Sequence, residues 1–280
     1  VIPFDFDYYK PSSVEEAVRL FESLRQQGKQ PMYFSGGTEI ITFGRLDYLY
    51  TNAVIDIKGI SKCQMMTFKG ENLYLGAAVS LSEIEEANLF PLLTKTSSEV
   101  ADHTARTKVT LGGNICGKIF YREAVLPFLV SESEVVIASR EGEETRPILD
   151  VFQKSLQLEE GECLVQLVTN KKMIEAANIS IKRRRQWDTG YPVITVVGIK
   201  VDGQLRVAIS GLCSFPFRAK EMEPFLNDTK RPLEERVSLA IRHVPAEVLH
   251  DSEASSDYRM FVLKNTLLDV FEGLEMEEVR

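Results

Sequence analysis

Met32-Tyr33-Phe34-Ser35-Gly36-Gly37-Thr38-Glu39-Ile40 is the stretch on which the reading of this chain turns. A short apolar run ends in a glycine doublet, and the polar and aliphatic residues after it can open a helix. A second stretch, Thr110-Leu111-Gly112-Gly113-Asn114-Ile115, repeats the arrangement further along. Glycine has no Cβ, so a doublet permits positive φ and lets successive amides approach an anion closely. Most doublets are simply turns, and chance supplies roughly one at this glycine content. Two in matched settings predict two cradles that suit a ligand with two phosphates.

Outward from the first doublet, Pro11-Ser12-Ser13-Val14-Glu15-Glu16 reads as a helix start. Ser13 and Glu16 have capping-box spacing, with Ser12 and Glu15 as the competing register. Val14, Ala17, Val18, Phe21 and Leu24 keep helical spacing, and Gly28 is placed to stop the helix. Residues 32–34 read as a buried strand, 40–43 as a short helix, 53–57 as a strand and 65–79 as a hairpin around Gly70. Helical spacing returns over 81–90 and 92–100; 124–130 reads as a buried helix and 135–138 as a strand. From about residue 162 the texture changes. Residues 163–168, 179–185, 193–201 and 205–212 read as four strands, followed by helices over 218–226, 233–242 and 257–271, the last capped by Ser256, and by an acidic tail from Glu272. Strands and helices mix without a regular βαβ repeat, which predicts an α+β fold.

Composition bounds the function. A net charge of −8 excludes a general nucleic-acid binder, because phosphate backbones need a basic face. No apolar run reaches the roughly 18–20 residues of a spanning helix, and no signal-peptide pattern is seen. Cys63, Cys116, Cys163 and Cys213 are far apart with no C-x-x-C, so neither a disulfide scaffold nor a local iron–sulfur motif is expected. A reducing cytoplasm fits this cysteine usage best.

Gly112-x-x-x-x-Gly117-Lys118 nearly matches a Walker A loop, but Ile119 stands where Ser or Thr must hold Mg²⁺. No G-x-G-x-x-G occurs, so a Rossmann dinucleotide site lacks its fingerprint. His103, His243 and His250 have no metal spacing, and His103 alone stands near a doublet. No catalytic triad is recognisable, so difficult chemistry would belong to a cofactor. Lys182-Arg183-Arg184-Arg185 is the densest basic run, and on a strand Lys182 and Arg184 share one face.

Taken with their flanks, the doublets resemble those of the FAD-binding subunit of the molybdenum hydroxylases, the xanthine dehydrogenase family. The similarity runs over essentially the whole chain. It starts with a Phe-Asp-Tyr-type opening and the helix from Pro11 to Ala17, then Ser35-Gly36-Gly37-Thr38-Glu39. Arg106-Thr107-x-x-Thr110-Leu111-Gly112-Gly113-Asn114-Ile115-Cys116 follows, then Lys182-Arg183 with Asp188, Phe215-Pro216-Phe217-Arg218-Ala219 and Ser255-x-x-Tyr258-Arg259. Their order and spacing together carry the resemblance.

The resemblance implies an FAD-binding domain over 1–165, in subdomains of about 1–58 and 59–165, and a C-terminal domain over 170–280 with a small antiparallel sheet and helices. It places cofactor contacts on Tyr33, Phe34, Ser35, Gly36, Gly37, Thr38, Glu39 and Ile40, and on Thr110, Leu111, Gly112, Gly113 and Asn114. Further contacts fall on Val100, Leu164 and Lys182, the last as a positive charge near the cofactor. Where the family has Ser-Pro and then Asp, this chain has Ile119-Phe120, and Glu123 offers the carboxylate for a ribityl or ribose hydroxyl. No residue is expected to be catalytic and none to bind metal. FAD is the expected cofactor, with molybdopterin and iron–sulfur clusters on partner subunits. The implied assembly is a cytoplasmic xanthine dehydrogenase, a dimer of heterotrimers, passing electrons through FAD to NAD or another acceptor. The rivals are the same subunit in a carbon monoxide or N-heterocycle dehydrogenase, a cofactor-free assembly scaffold, and a P-loop-like hydrolase.

Overall fold

A computed structural model of the chain describes residues 2–185 and 190–278, so the motif position Asp188 lies outside the described residues. The chain opens with β1 (Asp7–Tyr9), α1 (Val14–Gln26), β2 (Pro31–Phe34), α2 (Thr38–Arg45) and β3 (Ala53–Asp56). These strands form an all-parallel sheet in the order β1-β3-β2. A local βαβαβ unit therefore sits inside the α+β fold, which the irregular element order does not lead one to expect.

In α1 the Ser13 hydroxyl accepts from the Glu16 amide at 3.1 Å, while the Glu16 carboxylate accepts from the Ser12 amide at 2.7 Å. Ser13 is thus the cap, with Glu16 reaching back to Ser12 rather than to Ser13, and Glu15 takes no part in a Ser12 register. Val14, Ala17, Val18, Phe21 and Leu24 are all buried, and Gly28 lies past the helix end at φ +77°. Trimming Leu24 to alanine would cost about 3 kcal/mol. Only Pro31 of β2 is fully buried, because β2 is an edge strand.

The second sheet is antiparallel, ordered β4 (Met66–Lys69), β5 (Asn72–Gly76), β8 (Cys163–Asn170), β6 (Glu134–Ser139), β7 (Gly142–Pro147). Between β5 and β6 the chain forms α3 (Leu81–Ala87), α4 (Pro91–Ser98), α5 (His103–Arg106), α6 (Leu111–Cys116) and α7 (Leu126–Val130). The short helices α8 (Ile148–Val151) and α9 (Lys171–Ile174) flank β8 in the chain. The run expected to begin the C-terminal group of strands is in fact β8, paired with β5 and β6. A continuous apolar run reads alike in whichever sheet it is central, and only long-range pairing decides.

The third sheet is antiparallel, ordered β12 (Phe217–Arg218), β11 (Gln204–Ser210), β10 (Pro192–Val201), β9 (Ala177–Arg184). Its helices are α10 (Glu223–Leu226), α11 (Leu233–Ala240) and α12 (Ser256–Glu278), and α12 packs on β9 and β10. β10 is buried on both faces. Val197, Ile199 and Val201 join the core of the preceding sheets, while Ile194 and Val196 join the core under α12. The period of two along a strand makes one element a wall of two cores.

The three C-terminal helices differ from the sequence reading at their boundaries. Residues 217–218 pair with β11, and the helix expected from 218 begins only at Glu223, where Pro224 suits a first turn. Helix α11 stops at Ala240 and tightens into a 3₁₀ turn over Ile241–His243. The cap of α12 is Ser255, whose hydroxyl accepts from the Tyr258 amide at 3.2 Å, and Ser256 is already helical. Helix α12 also runs through the expected acidic tail, because Leu274 continues its buried face.

Candidate functional site

The three sheets meet around a cavity of about 630 Å³. Its walls come from the end of β2 and the first turn of α2, from the turn at 100–102, and from the second glycine loop. The start of β8, Lys182 on β9, and Gly190-Tyr191 ahead of β10 complete it.

The first loop has the properties of an anion cradle. Gly37 is left-handed at φ +70° and caps α2 without a side-chain bond. No acceptor among the described residues reaches the amides of Gly36, Gly37, Thr38, Glu39 or Ile40. The Ser35 hydroxyl oxygen is buried and has no hydrogen-bond partner. These donors line the cavity at the positive end of the α2 dipole.

The second loop differs from the expected cradle, because its amides are already used. Leu111 donates to the Val79 carbonyl at 2.9 Å and Gly112 to the Ala77 carbonyl at 2.8 Å. Gly113 donates to the Thr110 hydroxyl at 3.2 Å, and Asn114 to the Thr110 carbonyl at 2.9 Å. The Walker-like continuation is occupied too: the Glu39 carboxylate accepts from the amides of Lys118 at 2.7 Å and Ile119 at 2.8 Å. A residue expected on the cofactor is thus a clasp between the two loops, although it also lines the cavity.

The glycines have divided roles. A Cβ on Gly36 would collide with the Lys108 carbonyl, so the two loops touch there. A Cβ on Gly112 would lie 2.6 Å from the Ala77 Cβ, and one on Gly37 would strike the Phe34 ring. At Gly113 the one close neighbour is the Thr110 hydroxyl, at 2.8 Å.

Tyr33, Ser35, Gly36, Gly37, Thr38, Glu39, Ile40, Val100, Thr110, Gly112, Gly113, Asn114, Glu123, Leu164 and Lys182 all line this one cavity. Phe34 and Leu111 do not reach it. Phe34 lies beneath Gly37 with the Lys58 ammonium 4.6 Å from its ring centre, and Leu111 is wholly buried in the core. His103, on α5, is exposed and lies outside the cavity wall.

Lys182 and Glu123 form a buried ion pair at 2.8 Å, with side chains 1% and 5% exposed. Thr195 donates to the other Glu123 oxygen at 2.6 Å, and Lys182 also donates to the Glu99 carbonyl at 2.7 Å. Burial pulls the Lys182 pKa below its ordinary value, and the Glu123 charge opposes this in part. Both residues thus have protein partners already.

Sequence reasoning missed Tyr121 and Tyr191, whose rings stack in the wall with centroids 4.5 Å apart and planes at 12°. It also missed Ala101 and Arg122, left-handed non-glycine residues at φ +50° and +36° that line the same cavity. No residue pattern signals these, since chain geometry alone creates them. Burial raises the Cys163 thiol well above its ordinary pKa, so it supplies no ready nucleophile. Among the described residues no cluster could hold a metal ion, and no helix is long and apolar enough to cross a membrane.

Comparisons with known proteins converge. A family model described as the FAD binding domain in molybdopterin dehydrogenase matches residues 4–169. Caffeine dehydrogenase subunit beta of Pseudomonas sp. (strain CBB1) is 24% identical over 273 residues, covering 92% of this chain and 90% of that one. The nicotinate dehydrogenase FAD-subunit of Eubacterium barkeri is 21% identical over 297 residues, covering 97% and 98%. Among solved structures, carbon monoxide dehydrogenase from Hydrogenophaga pseudoflava, lacking the Mo-pyranopterin moiety of its cofactor, superposes with a TM-score of 0.87. That chain is 22% identical and the match covers 99% of both, a likeness of fold.

Proposed function

We propose, since this chain belongs to the family of FAD-binding domains of molybdopterin dehydrogenases, that it is the flavin-carrying subunit of a multi-subunit molybdenum hydroxylase and holds FAD in the cavity between its sheets. The observation that carries this is the row of unpaired amides from Gly36 to Ile40 beside the orphaned Ser35 hydroxyl. Such donors want an anion, and the pyrophosphate of FAD is one. Bound FAD supplies the exchange between one- and two-electron transfers that no side chain here can perform.

On this reading the first loop and the α2 N-terminus hold the pyrophosphate. The second loop, whose amides are spent, offers surface and side chains instead: Gly113 leaves room and Asn114 is polar. Lys182 and Glu123 form a buried charged floor, and Tyr191 forms part of the rim. The unpaired donors count against a cofactor-free scaffold, which would have no need of them.

The finer reading is a cytoplasmic xanthine dehydrogenase, with iron–sulfur and molybdopterin subunits as partners, a dimer of heterotrimers, and NAD as acceptor. It is supported by the sequence resemblance and by a relative named for caffeine, itself a methylated xanthine. The equal similarity of a nicotinate relative keeps another N-heterocycle as the second candidate.

The test is the visible spectrum of the chain co-purified with its partner subunits, followed by acid release of the chromophore. About one FAD per chain is the expected result, and none after FAD reconstitution would sink the reading. Anaerobic bleaching of the flavin by xanthine, compared with caffeine, nicotinate and carbon monoxide, identifies the substrate. Recovery of the absorbance on adding NAD then identifies the acceptor.

A further inference from the structure

Three successive carbonyl oxygens, of Glu99 beside the cavity and of Val100 and Ala101 in its wall, are held by cations. The Glu99 carbonyl accepts from Lys182 at 2.7 Å and from Arg184 at 2.6 Å. Arg106 donates to the carbonyls of Val100 at 3.3 Å and Ala101 at 3.1 Å, while its Nε pairs with Glu85 at 3.1 Å. The turn so gripped contains Ala101 at φ +50°, where the Cβ of an L-residue crowds the following carbonyl. Val100, Ala101 and Asp102 all face the cavity. A strained backbone segment persists only where its surroundings over-determine it, and here those surroundings are cationic.

Two of these cations come from β9, in the part of the chain beyond residues 4–169. Strand alternation turns Lys182 and Arg184 toward the turn and Arg183 the other way, where it pairs with Asp269 on α12. Arg184 does not line the cavity. Its Nε is buried without a partner, so the guanidinium gives up solvation to make its contact with the turn.

We infer that Arg184 is a positioning residue for the cofactor: by gripping the Glu99 carbonyl from β9 it keeps the 99–102 turn in the strained shape that walls the cavity. This rests on the cavity being the FAD site. The C-terminal sheet then contributes to cofactor binding at a distance, through backbone held in place.

The experiment uses the chain co-expressed with its partner subunits, stripped of flavin and titrated with FAD by fluorescence. Arg184→Met should weaken FAD binding about tenfold, the scale of a lost charge-assisted hydrogen bond. Arg184→Lys should restore most of the loss. Ala101→Gly in the Arg184→Met background should restore it too, because glycine accepts the left-handed turn without strain. A purely structural defect would not be repaired in FAD affinity by that second change. Wild-type affinity in Arg184→Met, or no recovery on adding Ala101→Gly, would overturn the inference. If Arg184→Met fails to fold, the double variant decides. Folded and flavin-binding, it supports the inference; unfolded, it assigns Arg184 to the folding core and ends it. A wild-type complex that takes no FAD sinks the cofactor reading itself, whereas flavin bound equally by wild type and Arg184→Met sinks only the role of Arg184.

Discussion

Gly36 and Gly113 belong to the same sequence pattern but do opposite things. Gly36 lies against the Lys108 carbonyl, so an alanine there must push the two loops apart. Gly36→Ala should destabilise the protein by about 3 kcal/mol, the cost of overpacking against backbone, read by urea unfolding. Gly113 has the Thr110 hydroxyl as its close neighbour. Gly113→Val should therefore fold, losing about 1 kcal/mol through the displaced Thr110 cap, yet fail to retain FAD. Wild-type flavin content in that variant would show that Gly113 has no part in the site. The doublets were legible in the sequence as special backbone. Their division of labour was not, because it depends on which carbonyl a distant segment places opposite each glycine.

Helix α12 illustrates what an element needs beyond its own periodicity. Arg259, fully buried near its start, donates to the carbonyls of Val193 and Gly211 and to Asp251. It braces β10, the end of β11 and the loop before α12, which gives the Ser255-x-x-Tyr258-Arg259 motif a structural purpose. Burial pushes the Asp251 carboxyl up, but the Arg259 guanidinium and the amides of Ala254 and Glu253 outweigh it and hold it below the ordinary range. A carboxyl lowered on folding adds stability above its unfolded pKa and loses it as pH falls through the folded value. Asp251→Asn should thus cost about 2 kcal/mol near neutral pH, with the gap to wild type closing below about pH 4. Equal gaps at both pH values in urea unfolding would contradict the assignment. The sequence located α12 but ended it early, since charged residues after Phe271 hide the buried Leu274. The sequence misgrouped β8 for a related reason: an apolar strand carries no mark of its partners.

For the whole molecule, the Lys182–Glu123 pair joins the C-terminal sheet to the segment after the second glycine loop. Removing one partner strands a buried charge, so Lys182→Met should cost about 3–5 kcal/mol. Lys182→Met with Glu123→Gln should recover most of that, and equal losses in single and double variants would show that the pair is not coupled. The α+β class and the two glycine loops of the cavity wall were legible from motif order, because the family pattern places both loops. The sharing of β10 between two cores was not, since both faces of a buried strand look alike in sequence. The convergence of all three sheets on one cavity also has a consequence in time. A nascent chain that has emerged only through Asn170 already holds both glycine loops but lacks Lys182 and Tyr191. No complete pocket exists while the ribosome is still making β9. Whatever the cavity takes in must arrive after the chain has been made as far as Tyr191, so its loading waits on the C-terminal sheet.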